Sequence, residues 1–253
     1  MGGKADILIG GLMLYYTLLP DGCSDDDYKK IYSDIAMHLP EFRRSRAEHI
    51  IPAKERAVSA LSFFLLCHAL SSEYHCFFSA MKLSDIGKAI GFSYSASGKP
   101  SLIPPYDSIH FNISHCRNAI ACGTAPFELG IDIQDIRMPS SAVVKRFMPS
   151  ANGPYSNDLF TNPMEFSMLW SRYEAFVKLT GDGITRSFSD CECLADDFLE
   201  RTGTSVASTA IPDHDEKKTA AYLSAAFSNA YSHIFSTEPV QVDFSSLLKS
   251  ALL

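Results

Sequence analysis

One short stretch of the sequence puts a charged side chain where an apolar one is expected. In LGIDIQDI, residues 129–136, Asp132 stands between two isoleucines in a run that otherwise has the composition of a buried strand. A buried carboxylate needs either a strong partner or a function that uses its charge. Side chains alternate along a strand, so Asp132 and Gln134 share one face and the isoleucines share the other. Two oxygen donors suit a hard cation, but they are not enough for a metal, and a third ligand has to come from elsewhere.

A second stretch, MEFSMLWSRYEAFVKLTG at 164–181, has the period of an amphipathic helix that ends at Gly181. Its apolar stripe consists of Phe166, Trp170, Tyr173 and Val177. Glu174 and Lys178 are one turn apart and lie together beside that stripe. The two side chains either form an ordinary ion pair on a solvated face or supply a carboxylate and a cation to a shared site.

A third stretch, HFNISHC at 110–116, has the alternation of a short strand that ends in a turn. With Phe111 and Ile113 facing the core, His115 falls at the exposed end of the strand. A histidine in this place is either structural or positioned to donate a hydrogen bond to an anion.

The segments around these stretches alternate between strand and helix patterns. ILIGGLMLYYTLL at 7–19 predicts a buried first strand, and the spacing of apolar residues predicts a helix from Pro52 to about Ser72. HFNIS, AIACGT and ELGIDIQDI predict three successive strands of one antiparallel sheet, and TAAYLSAAF and VQVDF predict further strands near the C-terminus. Helix and antiparallel strands occur once in each half. We therefore expect a two-lobed α+β architecture, with residues 1–126 in one lobe and 127–253 in the other.

Composition excludes several classes of function. The 253 residues are 46% hydrophobic and 20% charged, which is typical of a globular chain. The net charge of −7 argues against non-specific binding of nucleic acid, because that needs a basic surface. Seven scattered cysteines without a CxxC pair indicate reduced thiols and a cytoplasmic location. The apolar run at 7–19 is short for a membrane span, so we expect no membrane association.

The three stretches, taken together, match a known family. HFNISH at 110–115, GIDIQ at 130–134 and WSRYEAFVKLTGDG at 170–183, in this order, resemble the 4′-phosphopantetheinyl transferases of the longer, single-chain type that activates peptide and polyketide synthetases. The resemblance runs from about Pro40 to Gly183 and more weakly towards both ends.

This resemblance implies a fold and a reaction. The fold would be two similar lobes related by a pseudo-twofold axis, each a small, mainly antiparallel sheet packed on a long helix. Coenzyme A and Mg²⁺ would bind in the cleft between the lobes. The enzyme would move the phosphopantetheine arm of coenzyme A onto a serine of an apo acyl or peptidyl carrier protein and release adenosine 3′,5′-bisphosphate. A metal and cationic donors are the expected catalysts, because negative charge has to be held throughout.

The resemblance also implies roles for the residues of the three stretches. Asp132 and Glu174 would be the metal carboxylates, with Glu174 also acting as the base for the incoming serine. Lys178 would bind the pyrophosphate, His115 would contact the same phosphates, and Ser114 would assist.

The nucleotide would be bound by residues that precede these stretches. Lys99 and Pro100 match the family segment that lies along the nucleotide. Arg43, Arg46 and Arg56 are the candidates for binding the adenosine 3′-phosphate, although each is equally well explained as a solvated surface residue.

Two positions depart from the family pattern. Gln134 stands where many members have a second acidic residue, so it would contribute a carbonyl oxygen or a water-mediated contact, and Mg²⁺ binding should be weaker. Tyr173 stands where the family usually has a lysine, and its place on the apolar stripe indicates that it packs instead. These departures leave an alternative open, namely a non-catalytic coenzyme A-binding relative that acts as a sensor or scaffold.

The segment SAVVKRFM at 141–148 occupies the region where relatives receive the carrier protein. Lys145 and Arg146 could steer an acidic carrier, with Val144, Phe147 or Met148 making the apolar contact; packing of the same segment into the core is an equal alternative. We expect the chain to act as a monomer.

Overall fold

The computed structural model describes residues 11–140, 143, 161–181, 202–234 and 238–253, and these residues form an α+β fold. The strands are β1 Met13–Leu18, β2 Phe92–Tyr94, β3 Pro100–Leu102, β4 His110–His115, β5 Ala119–Ala125, β6 Leu129–Asp135, β7 Thr204–Pro212, β8 Thr219–Ser228 and β9 Val240–Gln241. The helices are α1 Asp25–Ala36, α2 Glu41–Glu48, α3 Ala53–Glu73, α4 His75–Phe78, α5 Leu83–Ala89, α6 Pro163–Thr180 and α7 Phe244–Ala251, together with a 3₁₀ helix at Asn229–Ile234.

The first sheet has the strand order β4-β5-β1-β9 and is covered on one face by α3. β1 runs antiparallel to β5 and parallel to β9, and β4 runs antiparallel to β5. α3 starts after Pro52 and is buried on most of its circumference, because α1, α2 and α5 pack against it as well as the sheet. The predicted helix from Pro52 is confirmed. The predicted first strand is confirmed from Met13 to Leu18, and residues 7–10 of that prediction lie outside the described residues.

The second sheet has the order β6-β8-β7, with all neighbours antiparallel, and α6 lies across it. Asn162 caps the start of α6 by accepting hydrogen bonds from the backbone of Met164 and Glu165. The helix ends at Gly181, whose φ of 77° is a left-handed conformation that glycine adopts at little cost. Both predicted boundaries of this helix are confirmed within a residue.

The prediction that β4, β5 and β6 form one sheet is wrong. Both edges of β5 are already occupied, by β4 and β1, so β6 cannot pair with β5. β6 pairs instead with β8, from Leu129 opposite Phe227 to Asp135 opposite Ala221. The predicted strand at VQVDF is confirmed only for Val240 and Gln241, because α7 begins at Phe244.

The inner faces of the two sheets pack against each other through a shared apolar cluster. It contains Leu14 of β1, Ala121 of β5, Ile131 and Ile133 of β6, and Leu223 of β8. Chain segments from both sides of residue 126 build the first sheet, since β9 pairs with β1 and the backbone of Val242 donates to Tyr16 at 2.7 Å.

The edge strands of the two sheets, β4 and β6, run side by side and form what we call the seam. Their backbones do not form a ladder there; instead the side-chain oxygen of Asn112 on β4 accepts a hydrogen bond of 3.1 Å from the backbone N–H of Ile131 on β6. The seam therefore brings side chains of both sheets together beneath α6. None of the helices in the described ranges is long and apolar enough to cross a membrane.

Candidate active site

Asp132 lies in the seam and has the strong partners that a buried carboxylate requires. The predicted alternation along β6 is confirmed, because Ile131 and Ile133 enter the cluster between the sheets while Asp132 faces α6. Asp132 is buried, with 5% of its surface exposed. Its Oδ1 accepts a hydrogen bond of 2.7 Å from Ser114 Oγ and one of 2.6 Å from Lys178 Nζ.

Gly130 allows α6 to approach the strand closely enough for these contacts. A Cβ at this position would lie 2.1 Å from the carbonyl oxygen of Ala175 and 2.3 Å from the backbone nitrogen of Leu179. Both atoms belong to the backbone of α6, which cannot rotate away as a side chain could. The absence of a side chain at residue 130 therefore sets the distance between Asp132 and the residues of α6.

Glu174 and Lys178 do not form the surface ion pair that their spacing allows. Lys178 Nζ also lies 2.9 Å from Ser114 Oγ, so the ammonium links α6 to both β4 and β6. Glu174 is half-buried on the same face of the helix. Burial raises the pKa of Glu174, and the negative charge of Asp132 raises it further.

The pKa of Asp132 is also raised, because the penalty of burial exceeds the opposing effects of Lys178 and Ser114. Two carboxylates in one partly buried site repel each other, and a cation between them would relieve that repulsion. Among the described residues no group of three His, Cys, Asp or Glu side chains could hold a metal. Mg²⁺ is commonly held by one or two carboxylates with water and substrate phosphates completing its shell. Asp132 and Glu174 therefore fit Mg²⁺ bound together with a phosphate ligand.

Gln134 has other partners in this structure. It is buried, its Oε1 accepts a hydrogen bond of 3.2 Å from Arg137 Nη2, and its Nε2 donates to Asp135. This hydrogen bond occupies one of the two lone pairs of the oxygen. Its predicted role as a ligand stays a prediction.

His115 lies at the end of β4, where a turn exposes it as expected, with 48% of its side chain accessible. Its Nε2 is 3.4 Å from a carboxylate oxygen of Glu55 on α3. A cleft of about 400 Å³, which we call the seam cleft, opens over these groups, and its walls include Ser114, His115, Asp132, Gln134, Glu174 and Lys178.

A second cleft of about 320 Å³, the aromatic cleft, adjoins the seam cleft at His115. Its walls include Arg43, Arg46, Phe63, Phe92, Tyr94 and Pro100. Arg43 lies over the ring of Phe63 at 5.2 Å and donates to the carbonyl of Ser59, and burial lowers its pKa. Arg46 donates to the hydroxyl of Tyr94 at 3.3 Å. The cleft thus combines aromatic walls with two guanidinium groups.

Lys99 and Arg56 have partners outside these two clefts. Lys99 Nζ forms an ion pair of 2.6 Å with Glu128, and it lines a third cleft that also reaches Glu174 and Lys178. Arg56 donates to the carbonyl of Ile50 at 2.8 Å and does not line any of the three clefts. The structure therefore brings all the predicted site residues except Arg56 to connected clefts, and their roles stay predictions.

Several residues at the site could not be identified from the sequence. Arg137 and Glu55 lie in the clefts. In the sequence, they are marked only by being charged residues near a predicted strand or helix. Asn112 lies within HFNIS, where its polar side chain on a strand was the available signal. Tyr173 is fully buried, which agrees with its predicted place on the apolar stripe. The predicted carrier surface, Val144, Lys145, Arg146, Phe147 and Met148, lies outside the described residues.

Comparison with known proteins finds a matching family model and several similar transferases. Residues 128–235 match the model of the 4′-phosphopantetheinyl transferase superfamily. The chain is 32% identical over 130 residues to the 4′-phosphopantetheinyl transferase psf-1 of Bacillus pumilus, which covers 49% of the chain and 51% of that protein. It is 36% identical over 100 residues to the 4′-phosphopantetheinyl transferase Sfp of Bacillus subtilis, covering 38% of the chain and 43% of Sfp. It is 30% identical over 104 residues to the 4′-phosphopantetheinyl transferase HetI of Nostoc sp., covering 38% of the chain and 44% of HetI.

The chain thus spans about half the length, or less, of the curated relatives that it matches. The matched family region, residues 128–235, contains Asp132 on β6 and both Glu174 and Lys178 on α6, the residues that meet at the seam. On these matches, residues 128–235 are similar to the 4′-phosphopantetheinyl transferase superfamily, and parts of the chain are similar to three transferases of that name.

Proposed function

We propose that the protein transfers the 4′-phosphopantetheine arm of coenzyme A to a serine of an apo acyl or peptidyl carrier protein, in a Mg²⁺-dependent reaction. The observation that carries the proposal is the arrangement at the seam. Ser114, Asp132 and Lys178 are joined by hydrogen bonds, and Glu174 lies one helical turn from Lys178 with a raised pKa. The family match points to the same reaction.

Asp132 and Glu174 would hold the Mg²⁺ ion. In the described part of the chain, the hydrogen bonds to Asp132 all go to Oδ1, so Oδ2 is available to a cation. When bound, Mg²⁺ would neutralise charge on the phosphates and so favour displacement.

Glu174 would act as the base. The serine oxygen forms a bond to the β-phosphorus of coenzyme A while the bond from that phosphorus to the bridging oxygen breaks. Adenosine 3′,5′-bisphosphate leaves with the electron pair, and Glu174 takes the serine proton. A carboxylate with a raised pKa suits this role, because it binds a proton more strongly than an ordinary glutamate.

Lys178 would hold the pyrophosphate. Two of its three N–H donors are directed at Asp132 and Ser114, which leaves the third for a phosphate oxygen. His115, exposed between the seam cleft and the aromatic cleft, would contact the same phosphates.

The aromatic cleft would bind the adenosine part of coenzyme A. Its rings offer stacking surfaces for a base, and Arg43 and Arg46 offer charge for the 3′-phosphate. Pro100 lines this cleft, and Lys99 would reach the nucleotide from the adjoining one. Arg56 donates to the backbone carbonyls of Ile50 and Ile51 and does not line these clefts, so it would have to reach the ligand from outside them.

The wider organisation is proposed on the same basis. Each sheet carries one long helix, α3 or α6, and the two sheets pack through one cluster. This supports two related lobes, 1–126 and 127–253, with the site between them, although β9 of the second segment joins the sheet of the first. Five free cysteines among the described residues support a reducing, cytoplasmic location. The segment at 141–148 would receive the carrier protein, and we expect a monomer.

The deciding experiment is incubation of the protein with coenzyme A, Mg²⁺ and a panel of apo carrier proteins, followed by mass spectrometry of each carrier. A phosphopantetheine adduct on the carrier serine is expected, and it should be lost when Mg²⁺ is chelated. A protein that binds coenzyme A but modifies no carrier would instead be a sensor or scaffold.

A further inference from the structure

Arg137 is a cation of the seam that the proposed mechanism does not yet use. It follows β6, and within the described residues it is the arginine that lines the seam cleft. It also lines a polar cleft of about 370 Å³ on its other side, together with Lys54, Arg117 and Asp135. Arg137 therefore stands at the boundary between the two clefts.

The backbone of Arg137 is fixed to α6. Its N–H donates to Ser167 Oγ at 3.0 Å, and the same hydroxyl donates to its carbonyl oxygen at 3.4 Å. Ser167 is fully buried, so this anchor is shielded from solvent. The guanidinium is held at one point, where Nη2 donates to Gln134 Oε1 at 3.2 Å. The guanidinium of an arginine has five N–H donors. Among the described residues, the one side-chain acceptor for these donors is Gln134.

The seam cleft needs a further cation for a diphosphate. Lys178 forms its ion pair with Asp132, so its ammonium is already shared before any phosphate binds. The residue before Glu174 supplies no charge, because Tyr173 is neutral and fully buried. Arg137 and Glu174 line the same cleft. The planar guanidinium of Arg137 also matches the oxygens of a phosphate group.

We propose that Arg137 binds the β-phosphate of coenzyme A, the one that is transferred, and that Gln134 positions its guanidinium instead of ligating the metal. This inference rests on the proposed function and deepens it by assigning a residue to one phosphate. Lys178 and Arg137, which both line the seam cleft, then contact the same diphosphate.

The test is the affinity of the Arg137→Gln variant for two ligands, measured by calorimetry in the presence of Mg²⁺. Coenzyme A contains the β-phosphate, and adenosine 3′,5′-bisphosphate lacks it. We expect Arg137→Gln to bind coenzyme A about 10- to 100-fold more weakly, the usual cost of losing a hydrogen bond to a charged group. Affinity for the bisphosphate should change by less than about threefold. Arg117→Gln is the matched control, since Arg117 lines the polar cleft but not the seam cleft, and it should leave both affinities unchanged.

Each other outcome overturns the inference in a recognisable way. Unchanged affinity for coenzyme A in Arg137→Gln, or an equal loss for both ligands, shows that Arg137 does not bind the β-phosphate. If the variant binds coenzyme A normally but has a raised KM for the carrier, Arg137 belongs to the carrier surface. If the parent protein binds neither ligand, the proposed function fails, and this inference fails with it.

The part of the inference that concerns Gln134 has a separate readout. Gln134→Met removes the hydrogen bond to Arg137, so coenzyme A affinity should fall by a smaller factor than in Arg137→Gln. Binding of Mn²⁺ at saturating coenzyme A, followed by electron paramagnetic resonance, should match that of the parent protein. Weaker Mn²⁺ binding by Gln134→Met would show that Gln134 is a metal ligand after all.

Discussion

A single methyl group added at residue 130 should move α6 away from β6 and so separate Lys178 from Asp132. In Gly130→Ala the new Cβ would lie 2.1 Å from the carbonyl oxygen of Ala175, whereas ordinary contacts begin at 3.4 Å. The difference, 3.4 − 2.1, means that α6 has to move back by about 1.3 Å. Added to the 2.6 Å between Lys178 Nζ and Asp132 Oδ1, a direct retreat of this size stretches that contact to about 3.9 Å. The hydrogen bond is then lost.

The expected cost has a structural and a catalytic part. Overpacking of this kind destabilises proteins by about 1–3 kcal/mol. A displacement of about 1 Å at a reacting centre lowers the rate by roughly 100-fold. Gly130→Ala should therefore show a lower midpoint of urea unfolding and, for the folded fraction, roughly a 100-fold lower kcat/KM for carrier modification.

The matched control is Gly123→Ala. A Cβ at Gly123 would lie 2.9 Å from Leu129 Cδ1, a side-chain atom in the cluster between the sheets and away from α6. This variant should lose less stability, because side-chain ends can shift where a helix backbone cannot, and it should keep nearly normal kcat/KM. The reasoning is refuted if Gly130→Ala retains the parent's kcat/KM. It is also refuted if kcat/KM falls as far in Gly123→Ala as in Gly130→Ala.

Three further predictions follow from the charges of the molecule. Glu174→Gln should abolish transfer and yet raise the free energy of unfolding in metal-free buffer, because it removes a carboxylate that burial and Asp132 both disfavour; lower stability in urea titration would contradict this. Lys178→Met should destabilise the fold by about 3 kcal/mol, because it leaves Asp132 buried without its cation. Adding Asp132→Asn should restore most of the lost stability, and a double variant no more stable than Lys178→Met would argue against the pairing. Burial lowers the pKa of His68 below the usual histidine value of about 6.5. At pH values below about 6.5 the unfolded state therefore binds more protons than the folded state, and the free energy of unfolding should fall as the pH drops through that region. His68→Gln should flatten this pH dependence, and an unchanged slope would rule out His68 as its source.

The features that the sequence predicted correctly depend on neighbours along the chain. Alternation placed Asp132 on the face opposite Ile131 and Ile133, and the helical period together with Gly181 gave the extent of α6. These patterns arise from the repeat of one strand or one helix and need no knowledge of the partner.

The features that the sequence could not supply depend on distant partners. Nothing local distinguishes pairing of β6 with β8 from pairing with β5, because either partner buries the same isoleucines. The link from Lys178 to Asp132 spans 46 positions, so spacing along α6 suggested Glu174 as the partner instead. Arg137 escaped notice for the same reason, since its place in the cleft follows from an anchor on Ser167 of another element.

The short strand β9 has a consequence for any attempt to study the two halves of the chain separately. A fragment made of residues 1–126 would keep β4, β5 and β1 but would lack the segment that pairs with β1. The backbone of Tyr15 and Tyr16 would then lie at an open sheet edge, and such edges recruit strands from other molecules. The fragment should therefore self-associate, and adding a peptide that spans residues 238–253 should reverse the association by covering the edge of β1.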